Sequence, residues 1–281
     1  MAAAGSAGES SGVSSSSRAP GNNTPSYDRI VTVFAPNGRL YQVDYARNAV
    51  RLEGVTSVGV RGADSACVVG QRRARGTKDK LLDTASVSRL FPITERVGLL
   101  ATGIAGDGRA LAHEARNQTA EFRFKWGYEM PPDLLAQWIA DRAQICTQYV
   151  SKRPSGVVAM VVGIDDEKET PQLFTCDPAG YFLGHKAASV GHKDREAVNF
   201  LERKMKEQSI TIISRNHSDG NISIAVRLKE DLKATEIEVG VVRKDDPTFR
   251  LLTVAEIDEH LKAINQSKAE LTSEQNNLLG H

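Results

Sequence analysis

Cysteine is scarce in this chain: Cys67, Cys146 and Cys176 are the only three in 281 residues. They are odd in number, far apart and without CxxC spacing, which argues against a disulfide framework or a zinc site and fits a reducing compartment. No run approaches the roughly 18 apolar residues of a membrane span, and the first residues lack the basic-then-apolar plan of a signal peptide. The expected location is therefore cytoplasm, nucleus or both. Charge of one sign is missing too. Lys and Arg number 36 against 35 Asp and Glu, a formal net charge of +1, so no broad field draws the chain to nucleic acid or to an anionic membrane. The histidines, His113, His185, His192, His217, His260 and His281, show neither HExxH nor an i, i+4 pair, and no metal or cofactor is expected. There is no GxSxG elbow of a serine hydrolase.

What is present fits one large folded domain: 40% of residues are hydrophobic and 25% charged, an ordinary balance for a core of this size. Residues 1–26 carry one Glu, one Arg and no aromatic, too little apolar surface to offset the entropy of ordering them. They are expected to form a flexible tail, residues 27–265 the folded domain, and residues 266–281 a polar, frayed end.

The stretch "YDRIVTVFAPNGRLYQVDYARNAV", Tyr27 to Val50, opens the domain with three tyrosines and five charged residues. "IVTVF" alternates like a short strand, Pro36-Asn37-Gly38 reads as a turn, and Leu40, Val43, Ala46, Ala49 and Val50 recur at helical steps. That spacing predicts a helix over Arg39–Glu53, stopped at Gly54. "TSVGVRGADSACVVGQRR" reads as two strands around Gly62-Ala63-Asp64, and "RVGLLATG" as a third. Helices are predicted over Asp107–Trp126, Pro132–Val150 and Lys193–Glu207. "GVVAMVVGID", "PQLFTCDPAG" and "YFLGHKAASVG" read as three strands, "EIEVGVVRK" and "FRLLT" as two more. Thr253 and Glu256 form a capping box that opens a last helix through Ile264. "ISIAVRLKEDL" is open between strand and helix. Two sets of strands with helical segments between and after them imply sheets packed on each other and covered by helices.

Three features invite a chemical reading. The run Gly103-Ile104-Ala105-Gly106-Asp107-Gly108 lies between a strand and a helix, but its spacing matches neither phosphate-binding fingerprint, and Asp107 capping the helix explains it more simply. Asp165-Asp166-Glu167 suggests paired carboxylates, yet it sits in a polar turn and reads as solvated loop. Thr56 opens the "TSVGVRG" strand and could serve as a nucleophile with its own α-amine as base. That amine is locked in a peptide bond with Val55 unless the chain is cut before Thr56, and an independent hydrolase freed in that way is the alternative reading.

Taken in order, "YDRIVTVFAPNGRLYQVDYARNAV", "VTSVGVRGAD", "RRARGTKDKLLD", "KWGYEMPPDLLA", "CDPAGYFLGHKA" and "EIEVGVV" resemble the proteasome α-type subunits, nearest their type-6 branch, from about Tyr27 to Ile264. The resemblance implies a four-layer αββα sandwich of two antiparallel sheets, the fold of N-terminal-nucleophile hydrolases, with an extra N-terminal helix. It implies membership of a seven-membered α ring that caps β rings, in a particle that degrades proteins in an ATP- and ubiquitin-dependent way. Catalytic β chains expose an N-terminal threonine with an acidic residue and a lysine as partners; here the corresponding places hold Val55, Gln71 and Arg89. No catalytic residue, cofactor or metal is implied.

The resemblance further implies that Tyr27, Asp28, Pro36 and Tyr45 form a cluster bracing the open gate of the ring, although tyrosines also commonly fill local core. It implies that Leu40, Gly54 and Arg89 belong to a pocket for the C-terminal tails of regulatory particles. Lysine is usual at the last of these places, so Arg89 keeps the charge and changes the geometry; an ordinary surface arginine is the competing reading. Neighbouring α and β subunits and activator tails are the partners implied, with neither nucleic acid nor membrane among them.

Overall fold

Both faces of most strands are apolar here, so each strand must be covered on two sides, and the architecture follows. In a computed structural model, residues 25–72, 81, 86–165, 167–208, 233–263 and 265–266 are described. A single-turn helix α1 (Ser26–Arg29) and helix α2 (Tyr41–Leu52) precede strands β1 (Thr56–Arg61), β2 (Ser65–Gln71), β3 (Leu90–Pro92) and β4 (Val97–Gly103). Helices α3 (Ala105–Trp126) and α4 (Pro132–Gln148) lead to β5 (Val157–Ile164), β6 (Pro171–Cys176), β7 (Phe182–Gly184) and β8 (Ala187–Gly191). Helix α5 (Asp194–Gln208), a 3-10 turn (Ala234–Glu236), β9 (Ile237–Arg243), β10 (Arg250–Leu251) and helix α6 (residues 254–263) complete the described elements.

The strands form two five-stranded sheets, β10-β9-β2-β1-β8 and β3-β4-β5-β6-β7, with every pair antiparallel. Period-two alternation sends side chains into three separate cores. On β5, Val157, Ala159 and Val161 face outward to meet Ala112, Ala115, Leu135 and Ile139 of α3 and α4. Met160, Val162 and Ile164 of the same strand face inward, with Leu100, Leu173 and Phe249, into the space between the sheets. Val58, Val60, Cys67 and Val69 on the outer face of the first sheet pack under Leu201 of α5 and under Ile257 and Leu261 of α6. The result is the four-layer sandwich that the resemblance implied. Each fully buried leucine or methionine contributes about 1.5–3 kcal/mol.

The inner layer is tight because small residues face large ones. A Cβ on Gly98 would lie 2.2 Å from the Phe249 ring, and one on Gly70 2.7 Å from Leu100. At the start of α3 the constraint is on the backbone itself: Gly103 has φ +131°, and a Cβ there would meet the Gly156 carbonyl oxygen at 2.1 Å. Asp107 does not cap this helix. It lies in the first turn, and its carboxylate accepts from the Arg153 guanidinium at 2.7 and 2.8 Å and from the Gly156 N–H at 2.9 Å. Those bonds hold the aspartate below the usual carboxylate range, the Arg153 hydrogen bond first among the causes.

Other expectations are adjusted too. "IVTVF" is not a strand: residues 30–34 turn, with Val33 donating to the Ile30 carbonyl at 3.3 Å. Among the described residues it pairs with no strand of either sheet. "YFLGHKAASVG" is two strands rather than one. β7 pairs with β6 in the second sheet and β8 with β1 in the first, and the chain crosses between sheets at His185-Lys186. There the His185 N–H donates to Leu173 O at 2.8 Å, and the Lys186 carbonyl accepts from Arg61 at 2.7 Å. The ambiguous "ISIAVRLKEDL" lies outside the described residues.

Candidate functional site

The position of a would-be terminal nucleophile is sealed. Val55, which joins α2 to β1, is 0% exposed. Its carbonyl accepts from the His192 N–H at 3.0 Å, a contact made possible by Gly191 at φ +124°, where a Cβ would lie 2.1 Å from that oxygen. Thr56 is buried, and its Oγ1 accepts from the Lys193 N–H at 3.2 Å. Gln71, at the end of β2, is buried as well. None of these groups offers a free amine, and the thiols of Cys67 and Cys176 are buried and pushed up to about 12 by desolvation.

Arg89 is no surface arginine: it is 5% exposed. One terminal nitrogen donates to the Gly103 carbonyl, Nε to the Arg72 carbonyl at 3.4 Å, and the other terminal nitrogen to Glu53 Oε1 at 2.8 Å. Its backbone N–H, with that of Leu90, donates to Glu238 Oε2 at 3.0 and 3.2 Å, while Arg72 pairs with Glu238 Oε1 at 3.1 Å. Two arginines and two glutamates thus interlock beside Val55, and each buried charge has a partner, as burial demands. Of the expected pocket, Gly54 (φ +73°) and Arg89 are brought together through Glu53. Leu40 is not: it precedes α2 at its other end, about 18 Å away along the helix axis. Glu53 and Glu238 were missed in the sequence, which has no signal for a partner so distant in the chain.

The tyrosine cluster is built on α2. Val43, Ala46 and Val50 bury one face of that helix, which abuts β4, β5 and β8, strands of both sheets. Arg47 ties it to Asp177 at 2.9 and 3.2 Å, and Arg51 to Asp194 at 3.2 Å. Away from the buried face, Tyr41 sits between Tyr27 and Tyr45, with ring centroids 5.7 and 6.4 Å apart. The Tyr45 hydroxyl donates to the Asp28 carboxylate, and the Gln42 side-chain amide donates to the Asp28 carbonyl. The hydrogen bond to Asp28 raises the Tyr45 phenol above its ordinary value, and Tyr45 remains 49% exposed. Tyr27, Asp28 and Tyr45 are therefore one group. Pro36 stands beside it in an exposed turn closed by Gly38 N–H to Ala35 O at 2.8 Å, linked to the group through Asn37 donating to the Tyr41 hydroxyl at 3.2 Å. Tyr41 and Gln42 were not singled out from sequence; the i, i+4 spacing of Tyr41 and Tyr45 was the available signal.

Fold and site together define a helix-covered double-sheet sandwich whose strand-opening threonine has no free amine and whose N-terminal segment carries an organised, partly exposed aromatic group. Comparison with known proteins agrees. The family description "Proteasome subunit" matches residues 52–215, and the N-terminal signature of the A class of proteasome subunits matches residues 27–49. The chain is 44% identical over 239 residues to the probable alpha type-1 proteasome subunit of Schizosaccharomyces pombe, covering 85% of this chain and 96% of the relative. It is 36% identical over 238 residues to the alpha type-6 proteasome subunit of Caenorhabditis elegans, covering 85% and 95%. A proteasome alpha subunit of Methanosarcina acetivorans is 33% identical over 247 residues, covering 85% and 93%. The chain belongs to the proteasome α-subunit family.

Proposed function

We propose that this chain is a non-catalytic α-ring subunit of the 20S proteasome core, at the type-6 position, also called the first α subunit. In this reading it joins neighbouring α subunits in a seven-membered ring, packs on a β ring, helps gate substrate entry and receives the C-terminal tails of regulatory particles for ATP- and ubiquitin-dependent degradation. It works in cytoplasm and nucleus. The observation that carries the reading is the pairing of a sealed nucleophile position, with Val55 fully buried, and the partly exposed cluster of Tyr27, Asp28 and Tyr45 in the segment that matches the α signature.

Release as a hydrolase by cutting before Thr56 would strip α2, with buried Val43, Ala46 and Val50, from both sheets, and so has a structural cost that the ring reading avoids. Native mass measurement of the tagged chain from cytoplasmic and nuclear extracts tests the proposal. The expected result is recovery only in the large cylinder and its precursors. A stable free monomer pool with peptidase activity overturns it.

A further inference from the structure

We propose that Glu53 sets how strongly this chain captures the C-terminal carboxylate of a partner peptide, because it already occupies the cation which that carboxylate would use. The inference rests on the tail-docking reading above and adds an internal competitor to it.

The Arg89 guanidinium is held by three acceptors, and they are not alike. The carbonyls of Gly103 and Arg72 are backbone, at the end of β4 and just after β2. Glu53 is a side chain, 2.8 Å from Arg89 and 36% exposed where the Arg89 side chain is 6% exposed. The carboxylate is thus the solvent-facing partner of a buried cation. A second carboxylate reaches that cation only by displacing it.

The location of Glu53 makes the same point. It is the C-cap residue of α2, in helical conformation at φ −61° and ψ −13°, so its negative charge sits at the negative end of the helix dipole, where a cation is preferred. Helix formation does not favour an acid there, whereas Arg89 does. At rest the pair satisfies a buried charge that would be costly alone. An arriving carboxylate would take over the same charge-assisted bonds, so docking is an exchange of one carboxylate for another. The resident group acts at an effective concentration on the order of millimolar or above, because it is tethered. Selectivity follows, since affinity for a tail is a difference between two carboxylates competing for one guanidinium.

The test uses the assembled particle carrying the wild-type chain, Glu53→Gln or Glu53→Asp. A synthetic apolar peptide with a photoactivatable residue and a free α-carboxylate is crosslinked to this chain and quantified by mass spectrometry, beside the same peptide amidated at its C-terminus. Glu53→Gln is expected to lower the half-saturating concentration of the free acid by about tenfold and to leave the amide unchanged. Unchanged half-saturation in Glu53→Gln, with the acid still outbinding the amide, overturns the competition. Equal crosslinking of acid and amide to the wild-type particle overturns the docking reading itself. If Glu53→Gln does not assemble, Glu53→Asp, one methylene shorter, takes its place: a few-fold gain for the acid is expected, and no gain overturns the proposal.

Discussion

The hydroxyl of Tyr45 and the carboxylate of Asp28, 17 positions apart in sequence, share a hydrogen bond that fastens a single helical turn to the helix beside it. Four residues are far too few for a helix to persist in water by itself, so α1 exists because α2 holds it. Two contacts besides this one do the holding: Gln42 to the Asp28 carbonyl, and Tyr41 edge-on to Tyr27.

If the proposed gating role holds, Tyr41 and Gln42 should matter to it as much as the residues they position. In the assembled particle, Tyr41→Ala and Gln42→Ala are expected to lower activator-stimulated peptide hydrolysis several-fold, as Tyr27→Ala and Asp28→Ala should, while leaving assembly intact. Tyr41→Phe keeps the ring and should recover most of the loss. Normal stimulation in Tyr41→Ala, alongside impaired Tyr27→Ala, would show that the cluster stands without it.

Exposing Thr56 should not create an enzyme. A chain begun at Thr56, made by a cleavable fusion and incorporated into particles, is expected to add no hydrolysis of fluorogenic peptides above the parent. Gln71 cannot serve as a carboxylate, arginine cannot shuttle protons near neutral pH, and Thr56 Oγ1 is already an acceptor for the Lys193 N–H. New activity sensitive to a threonine-directed inhibitor would contradict this.

Gly98→Ala tests the packing between the sheets. A methyl placed 2.2 Å from the Phe249 ring must push aside a buried aromatic, at a cost of about 1–3 kcal/mol. The melting temperature of the purified chain should fall, and Phe249→Leu in the same chain should restore part of the loss. An additive effect of the two substitutions would place the strain elsewhere.

Acid should loosen α6 before the sheets. Glu256 accepts from the Thr253 N–H at 2.8 Å and from its hydroxyl at 2.9 Å, and pairs with Arg250 at 2.6 Å. These bonds lower it from 4.5 to about 2, the Thr253 backbone hydrogen bond first among the causes. A depressed carboxylate stabilises the folded form above its unfolded value and loses that contribution as pH falls through the folded one. Amide protection in residues 254–263, corrected for the intrinsic exchange rate, is thus expected to fall between pH 4.5 and 2, and Glu256→Gln, which has no titrating carboxyl, should remove that pH dependence. Identical profiles in variant and parent would remove the cap from the explanation.

Much of the framework was readable because it depends on local period. The helix after the Pro36 turn, expected at Arg39–Glu53, forms at Tyr41–Leu52, and the hairpin around Ala63 forms as β1 and β2. "IVTVF" shows where that reading stops: alternation specifies a face, but a strand also needs a partner, and residues 30–34 turn instead of pairing. "YFLGHKAASVG" fails for a related reason, since period does not reveal which sheet a residue joins. The charge cluster was hidden for a third reason. Arg89 and Glu238 are 149 positions apart, and only the fold brings them together. The tyrosines were conspicuous, and the i, i+4 spacing of Tyr41 and Tyr45 was a hint, but only the fold brings Tyr27 of α1 against Tyr41.

The crossing at His185-Lys186 also has a mechanical meaning. Two consecutive residues carry hydrogen bonds into opposite sheets, one to Leu173 and the other from Arg61, so a relative shift of the sheets at this point strains both. Like a rivet through two plates, the crossing converts shear into shared load. Helix α2, which rests on strands of both sheets, is a second tie across the same gap.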